Sequence, residues 1–284
     1  LSDMYRIVAI VQARTTSSRL PGKVLQDIAG QPMLVRVVER TRRASLVDQV
    51  VVATTLDPTD APVVDLCSAR GYACFQGSLH DVLDRFYRAA KKFDADVIVR
   101  ITADCPLIDP GVIDLTVRAF LGQEQGIPGR ISQRSLNLEG QAYPFDFAAN
   151  RLPPPWKRTF PIGLDTEVCS MTALEVAWKQ AKQKYQREHV MPYLYDDVGV
   201  NFDQPCRFRV LQIDHIEDLG ALRWTVDTQP DLELVRYIYG YFQGRDDFTW
   251  QDVLLLFKQE PKLAEVNASV VHKQLYDFDQ RAKD

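Results

Sequence analysis

Arg6-Ile7-Val8-Ala9-Ile10-Val11, followed at once by Gln12-Ala13-Arg14-Thr15-Thr16-Ser17-Ser18-Arg19-Leu20-Pro21-Gly22-Lys23, decides the reading of this chain. Residues 7–11 are apolar and rich in β-branched side chains. An unbroken apolar run of strand length reads as a strand buried on both faces, the habit of parallel sheets. Val50-Val51-Val52-Ala53 and the stretch Asp96 to Ile101 repeat the pattern, and Tyr72 to Phe75 reads as a further strand. Between them lie helical spacings: 33–41 behind Pro32, 60–70, 80–93 and 112–121. In the third of these, Val82, Leu83, Phe86, Tyr87 and Ala90 share one face. Strands alternating with helices predict βαβ units. The expected class is α/β, with a mostly parallel central sheet, helices on both faces and right-handed crossovers.

The stretch 122–163 breaks this rhythm. It holds Gly122, Gly126, Gly129, Gly140 and Pro153-Pro154-Pro155, and predicts loops and an antiparallel arm. A strand at 166–169, helices at 172–186 and 188–195, and a strand at 207–212 follow. Trp224-Thr225-Val226 reads as a short strand and 230–242 as a helix. Residues 4–245 are therefore expected to form one domain, with 122–163 as a loop or arm insertion. Residues 246–284 are expected as an amphipathic, helical C-terminal extension.

Composition narrows the functions available. Of 284 residues, 46% are hydrophobic and 25% charged, which excludes disorder, collagen and coiled coil for the whole chain. Thirty-four Lys and Arg against 38 Asp and Glu leave a net charge of −4. That balance argues against nucleic acid as a partner, while leaving room for a local basic pocket. No 18-residue apolar run exists to span a membrane, and the first residues lack a signal-peptide pattern. Cys67, Cys74, Cys105, Cys169 and Cys206 are scattered without C-x-x-C spacing, and the four histidines form no zinc pattern. A cytoplasmic protein with free thiols is expected.

The loop after the first strand is the richest candidate site. In open α/β sheets, ligands bind beyond the carboxyl ends of the strands. Arg14 and Arg19 can fork onto phosphate oxygens there, and Lys23 can act as a point charge. The loop is neither a G-x-x-x-x-G-K-[ST] loop nor a G-x-G-x-x-G turn, and it reads equally as a solvated basic loop. Arg100-Ile101-Thr102-Ala103-Asp104-Cys105-Pro106 delivers an aspartate at a strand end, where it can hold Mg²⁺ or merely close a turn. Arg223-Trp224-Thr225-Val226-Asp227-Thr228-Gln229-Pro230-Asp231 delivers another, with Asp227 or Thr228 as an alternative helix N-cap. Two aspartates at two strand ends, facing a basic loop at a third, describe one metal–polyphosphate site.

Other segments are more ambiguous. Gly163 suggests a close approach, and Asp165 and Glu167 share one side of a strand, as ligands for sugar hydroxyls or a cation or as surface carboxylates. Gly77-Ser78-Leu79-His80-Asp81 opens a helix. Asp81 there either meets a base or sugar, or pairs with Arg85 and the helix dipole. His189 in Arg187-Glu188-His189 reads as structural or as a contact to substrate.

Gln12-Ala13-Arg14, Ser17-Ser18-Arg19-Leu20-Pro21-Gly22-Lys23, Asp104-x-Pro106-Leu107 and Asp227-Thr228-x-x-Asp231-Leu232 resemble the signature of CMP-sugar synthetases. These are the 3-deoxy-manno-octulosonate and acylneuraminate cytidylyltransferases. Gly77-Ser78 with Asp81-Val82-Leu83, Gly163-Leu164-Asp165 with Glu167, and Arg187-Glu188-His189 point to the spore-coat polysaccharide branch. The resemblance covers about residues 5–243. It implies a Rossmann-like nucleotidyltransferase fold, CTP, Mg²⁺, a sugar or sugar-acid acceptor, and a homodimer built through a protruding arm. Arg14, Arg19 and Lys23 would then be the catalytic cations on the CTP phosphates, and Asp104 and Asp227 the Mg²⁺ ligands. Ala13, Gly77, Ser78 and Asp81 would face the nucleotide, with Ser18 and Arg100 completing that set. Asp165, Glu167 and His189 would face the acceptor. Ala103 stands where the 3-deoxy-manno-octulosonate enzymes usually carry glycine.

The expected activity is transfer of CMP from CTP to the acceptor with release of pyrophosphate, serving surface polysaccharide or glycoconjugate synthesis. Two rivals belong to other classes. A sugar-nucleotide glycosyltransferase would want a D-x-D at a strand's carboxyl end, and Asp94-Ala95-Asp96 instead precedes its strand. A catalytically silent nucleotide- or sugar-nucleotide-binding protein would use residues 246–284 as a partner surface.

Overall fold

The computed structural model describes residues 5–124, 126–135 and 142–271. Met4, residues 136–141 of the expected arm and residues 272–284 of the expected extension lie outside them.

Strand β1 (Ile7–Gln12) lies inside an eight-stranded sheet. Ile7, Ala9 and Val11 enter one core, and Val8 and Ile10 the other. Successive strand side chains point to opposite faces, and both faces are covered by helices, so positions 7–11 are all apolar. β1 pairs in parallel with β2 (Gln49–Thr55) on one side. β2 pairs in parallel with β3 (Ala73–Gly77), and β1 with β4 (Val97–Thr102) on its other side. Helices α1 (Met33–Arg42), α2 (Ala61–Arg70) and α4 (Pro110–Phe120) pack on the first core. Helix α3 (Val82–Lys92) packs on the second through Val82, Leu83, Phe86, Ala89 and Ala90.

The sheet continues through β5 (Gly129–Ile131), β6 (Phe147–Ala149), β7 (Glu167–Ser170) and β8 (Val210–Ile213). The spatial order is β3-β2-β1-β4-β7-β6-β8-β5. β7 runs antiparallel to β4 and β6, β8 runs parallel to β6, and β5 antiparallel to β8. The stretch 122–163 thus holds more than the expected loops and arm. It contributes β6, an interior strand whose Phe147, Ala148 and Ala149 are fully buried. Three residues are too few to display a period, so the strand is legible only from its neighbours.

Two further expectations are corrected. The single helix over 172–186 is two: α5 (Met171–Gln180) ends where Ala181 turns extended, and α6 (Lys184–His189) starts from a capping box on Gln183. A short α7 (Pro192–Tyr195) follows. Trp224–Val226 is no sheet strand, and only Arg223 bridges to Ile162. Trp224 N–H donates to the Ile162 carbonyl at 2.7 Å, but Val226 N–H and the Thr225 hydroxyl both donate to the Asp104 carbonyl, at 2.8 and 2.9 Å. Helices α8 (Gln229–Tyr241) and α9 (Trp250–Gln259) follow. Trp250, Val253, Leu256, Phe257 and Leu263 join the first core, so residues 250–263 pack on the same interior as β1.

Gly163 lets the connector reach its place. Its φ is +109°, and a Cβ there would lie 2.7 Å from the Thr225 nitrogen and the Trp224 carbonyl carbon. Gly163→Ala is expected to destabilise the fold by about 1–3 kcal/mol, through left-handed backbone strain and displacement of the Trp224–Thr225 backbone. A melting temperature equal to wild type, measured by calorimetry, would remove this constraint.

Candidate active site

β1, β2, β3 and β4 end at one edge of the sheet. The loop leaving β1 is folded tightly there. Thr15 donates through its N–H and its hydroxyl to Asp60 Oδ1, at 2.7 and 2.8 Å, and Gly22 N–H donates to the Thr15 carbonyl at 2.8 Å. Gly22 sits at φ +69° and turns the chain into a short 3-10 turn that begins at Lys23.

Lys23 is only 6% exposed, and each donor of its ammonium is used. Nζ lies 2.9 Å from Asp104 Oδ2, 2.9 Å from Asp227 Oδ1 and 2.8 Å from the Val226 carbonyl. Asp227 Oδ2 also meets Arg19 at 2.8 Å and Arg223 at 2.7 Å. Asp231 accepts from Arg223 Nε at 2.9 Å and from the N–H groups of Asp227 and Thr228 at 3.0 and 2.9 Å. The helix cap is therefore Thr228 with Asp231, and Asp227 is left to the cleft. Burial pushes the Asp227 carboxyl up. Lys23 first, then Arg19 and Arg223, outweigh this and hold it well below the usual carboxylate range. Burial likewise disfavours the Lys23 ammonium, but Asp104 and Asp227 hold its pKa above the ordinary value.

A cleft of about 620 Å³ opens above these groups. Arg14, Ser18, Arg19, Lys23, Arg100, Asp104, Asp165, Glu167, His189 and Asp227 all line it. A cavity of about 340 Å³ shares Arg14, Arg100 and His189 and extends to Thr59, Leu79, His80 and Val82.

Ala13, Gly77, Ser78 and Asp81, expected to face the nucleotide, line neither cavity. Ala13 is buried, and its N–H donates to the Ala53 carbonyl at 3.1 Å. Gly77 makes room for Arg85, whose Cγ would lie 2.9 Å from an added Cβ. Ser78 accepts from Arg85 Nη1 through its carbonyl (2.7 Å) and from Asp81 N–H through its hydroxyl (3.0 Å). Asp81 caps α3 at Asp84 N–H (2.9 Å) and pairs with Arg187, not Arg85. A carboxylate at a helix start is readily consumed by backbone donors, and here a distant arginine takes the rest.

Asp165 and Glu167 reach the cleft already partnered. Arg151 Nε and Arg158 Nη2 each donate to Asp165 at 3.0 Å, and Glu167 pairs with Arg100. Arg151 and Arg158 line the cleft and were not singled out from the sequence, although a basic residue beside Pro153-Pro154-Pro155 was a readable sign. The sequence offers Arg85 as a contact for a base or sugar or as a partner for Asp81; in the fold Arg85 lines neither cavity. It is fully buried with one hydrogen bond, and burial, then neighbouring Arg14, push its pKa down to about 10. Asp94 and Asp96 lie at the amino end of β4, where Asp96 accepts from Arg6 N–H at 2.8 Å, so this D-x-D is remote from the cleft.

The charge on Asp227 carries a pH dependence. Its folded pKa is depressed, so near the ordinary value of 3.8 the unfolded chain binds a proton that the folded chain does not. Its stabilisation is complete above that value and is lost as pH falls below it. The melting-temperature gap between wild type and Asp227→Asn should narrow as pH falls from 6 to 3. A gap that stays constant would contradict the ion-pair assignment.

The sequence pattern of the cytidylyltransferase family matches residues 8–234, a span from β1 through the basic loop and Asp104 to Asp227. The chain is 28% identical over 268 residues to the spore coat polysaccharide biosynthesis protein SpsF of Bacillus subtilis, covering 92% of this chain and 98% of that protein. Over 119 residues it is 43% identical to a 3-deoxy-manno-octulosonate cytidylyltransferase of Trichlorobacter lovleyi, covering 41% of this chain and 46% of that one. A cytidylyltransferase structure from Leptospira borgpetersenii superposes with a TM-score of 0.77 at 28% identity, over 94% of this chain and all of the other. The chain belongs to the cytidylyltransferase family and is a nucleotidyltransferase enzyme.

Proposed function

We propose that the protein transfers CMP from CTP to a hydroxyl of a sugar or sugar acid, with Mg²⁺, releasing pyrophosphate. The setting is the cytoplasm and the purpose surface polysaccharide or glycoconjugate assembly. One observation carries this reading: Lys23 gathers Asp104 and Asp227 directly beneath the loop that holds Arg14 and Arg19. Among membership, cleft and charge, this cluster speaks most directly to a polyphosphate substrate.

Arg14 and Arg19 neutralise the triphosphate, and Lys23 joins them once its ammonium turns from Asp104 and Asp227 to the phosphates. The base and ribose suit the smaller cavity, where Leu79 and Val82 offer apolar contact and Thr16 and Thr59 hydrogen bonds. The acceptor oxygen bonds to the α-phosphorus, and the bond to the β-phosphate breaks. Arg19 and Lys23 stabilise the charge that develops on the departing pyrophosphate. Most of the rate gain comes from positioning, since little covalent chemistry falls to the protein.

Magnesium takes one or two carboxylates and completes its shell with water and phosphate oxygens. Asp104 and Asp227 are donors of that kind and reach a common point at Lys23 Nζ. Among the described residues no group of three His, Cys, Asp or Glu forms a fuller cage, so substrate oxygens are needed to finish the shell. Asp104 and Asp227 would hold Mg²⁺, which when bound neutralises phosphate oxygens and lowers the pKa of the acceptor hydroxyl.

At the far end of the cleft two guanidiniums, Arg151 and Arg158, share the single carboxylate of Asp165. The surplus positive charge suits an acceptor that carries a carboxylate. Asp165 and Glu167 then act by holding arginines in place, rather than by gripping the sugar. A homodimer through the arm belongs to the same reading.

Lys23→Ala and Asp227→Ala should each lower pyrophosphate release from CTP by about 10²–10³, the usual cost of losing one transition-state charge contact. Pyrophosphate release at the wild-type rate would remove that residue from the mechanism. In a nucleotide panel with Mg²⁺, CTP should raise the melting temperature most, because a ligand stabilises the state it binds. A larger shift with another nucleoside triphosphate would reassign the donor.

A further inference from the structure

The segment after α9 does more than cover the core. It forms a 3-10 turn at Pro261–Glu265, anchored by Leu263, and then runs beneath the acidic cluster. Asn267 is 3% exposed, and both hydrogens of its amide nitrogen are used. Nδ2 donates to the Arg223 carbonyl at 3.0 Å and to Asp231 Oδ1 at 2.8 Å. The same Asp231 oxygen accepts from Arg223 Nε at 2.9 Å, and Arg223 Nη2 meets Asp227 Oδ2 at 2.7 Å. Four residues beyond Asn267, the Val271 carbonyl accepts from Arg19 Nη1 at 3.3 Å. One short segment therefore touches both arginines that hold Asp227, Arg223 at its backbone carbonyl and Arg19 at its guanidinium.

We infer that Asn267 is a positioning residue: through Asp231 and Arg223 it orients Asp227 toward Lys23. This rests on the transfer reading above in so far as Asp227 is taken to serve the nucleotide and Mg²⁺. The side-chain chemistry is specific. A buried polar group costs free energy unless it is fully bonded, so simple packing favours an apolar residue, as at Leu263. The primary amide places two donors on one planar nitrogen. Aspartate has none at neutral pH and serine has one. The donor matters because Arg223 is divided between two carboxylates. With Asn267 bonded to Asp231, the Arg223 guanidinium is held in register with both. Without it, Asp231 keeps only Arg223 on that oxygen and can draw the guanidinium away from Asp227.

Three variants of the full-length protein test this. Asn267→Leu keeps the branched shape and removes both donors, and Asn267→Ser keeps one. Leu263→Ala loosens the same segment without touching Arg223 or Asp231. Two readouts are taken: CTP binding by calorimetry over a range of Mg²⁺ concentrations, and pyrophosphate release resolved into kcat and KM for CTP. Asn267→Leu should lower kcat about tenfold, taking loss of an outer partner of a metal site as the guide, and raise the Mg²⁺ needed for half-maximal CTP binding. At saturating Mg²⁺, KM for CTP should stay close to wild type, and Asn267→Ser should fall between the two. Should Asn267→Leu fail to fold, Asn267→Ser carries the same test. Leu263→Ala should lower the melting temperature and leave kcat and the Mg²⁺ requirement near wild type. Wild-type kcat and Mg²⁺ requirement in the Asn267 variants, or an equal loss in Leu263→Ala, would overturn the inference. Wild-type protein that binds CTP with Mg²⁺ yet releases no pyrophosphate with any acceptor would defeat the transfer reading. Asn267 would then be judged from the binding curves alone.

Discussion

A lysine ammonium, almost wholly buried, is held between two carboxylates and a backbone carbonyl, and the architecture of this protein's cleft depends on that contact. A charge removed from water is costly unless its partners are in place, so the three segments that meet at Lys23 are bound to one another. They are the turn after Pro21-Gly22, the end of β4 at Asp104, and the connector through Val226 and Asp227. The connector is also pinned by the Asp104 carbonyl, which receives Val226 N–H and the Thr225 hydroxyl. The acidic pair is thus assembled by the chain itself, before any substrate contributes.

The remaining cations follow the same rule of mutual restraint. Arg100 is paired with Glu167, and Arg151 and Arg158 with Asp165. These carboxylates damp repulsion among crowded guanidiniums and set their direction. Arg85 is the contrast: it is buried with a carbonyl partner, and its pKa is lowered first by that burial and then by neighbouring Arg14. A cleft built this way presents positive charge without letting it collapse onto a neighbour. That suits a polyanionic substrate that must bind and leave.

Much of this was legible in the residues. The apolar runs at Ile7–Val11, Val50–Ala53 and Val97–Val99 announce doubly buried strands, because both faces of each strand meet helices. Gly163 announces a close approach, and the Trp224–Thr225 backbone is what approaches. Phe147–Ala149 was not legible. Three residues carry no period, and their central place is set by β7 and β8 on either side. Asp81 misled for a different reason. A carboxylate ahead of a helix can cap it, pair locally or face a ligand, and the choice fell to Arg187, 106 positions away. The segment after 245 read as separable because amphipathic helices do not declare which apolar surface they will cover.

From its own residues the chain determined its class, its parallel half-sheet and the edge at which a ligand would meet it. Strand periodicity and helix spacing are local properties, and ligands gather where parallel strands end. The resemblance of its motifs to the CMP-sugar synthetases is likewise carried by short, contiguous stretches. Only the tertiary structure decided which charges neutralise which. Asp104 and Asp227 meet at Lys23, Asp165 and Glu167 are bound to arginines, and Asn267 stands behind Asp231. Side-chain pairing acts over a few ångströms of space, with no regard to distance along the chain, so no reading of spacing alone could assign those partners.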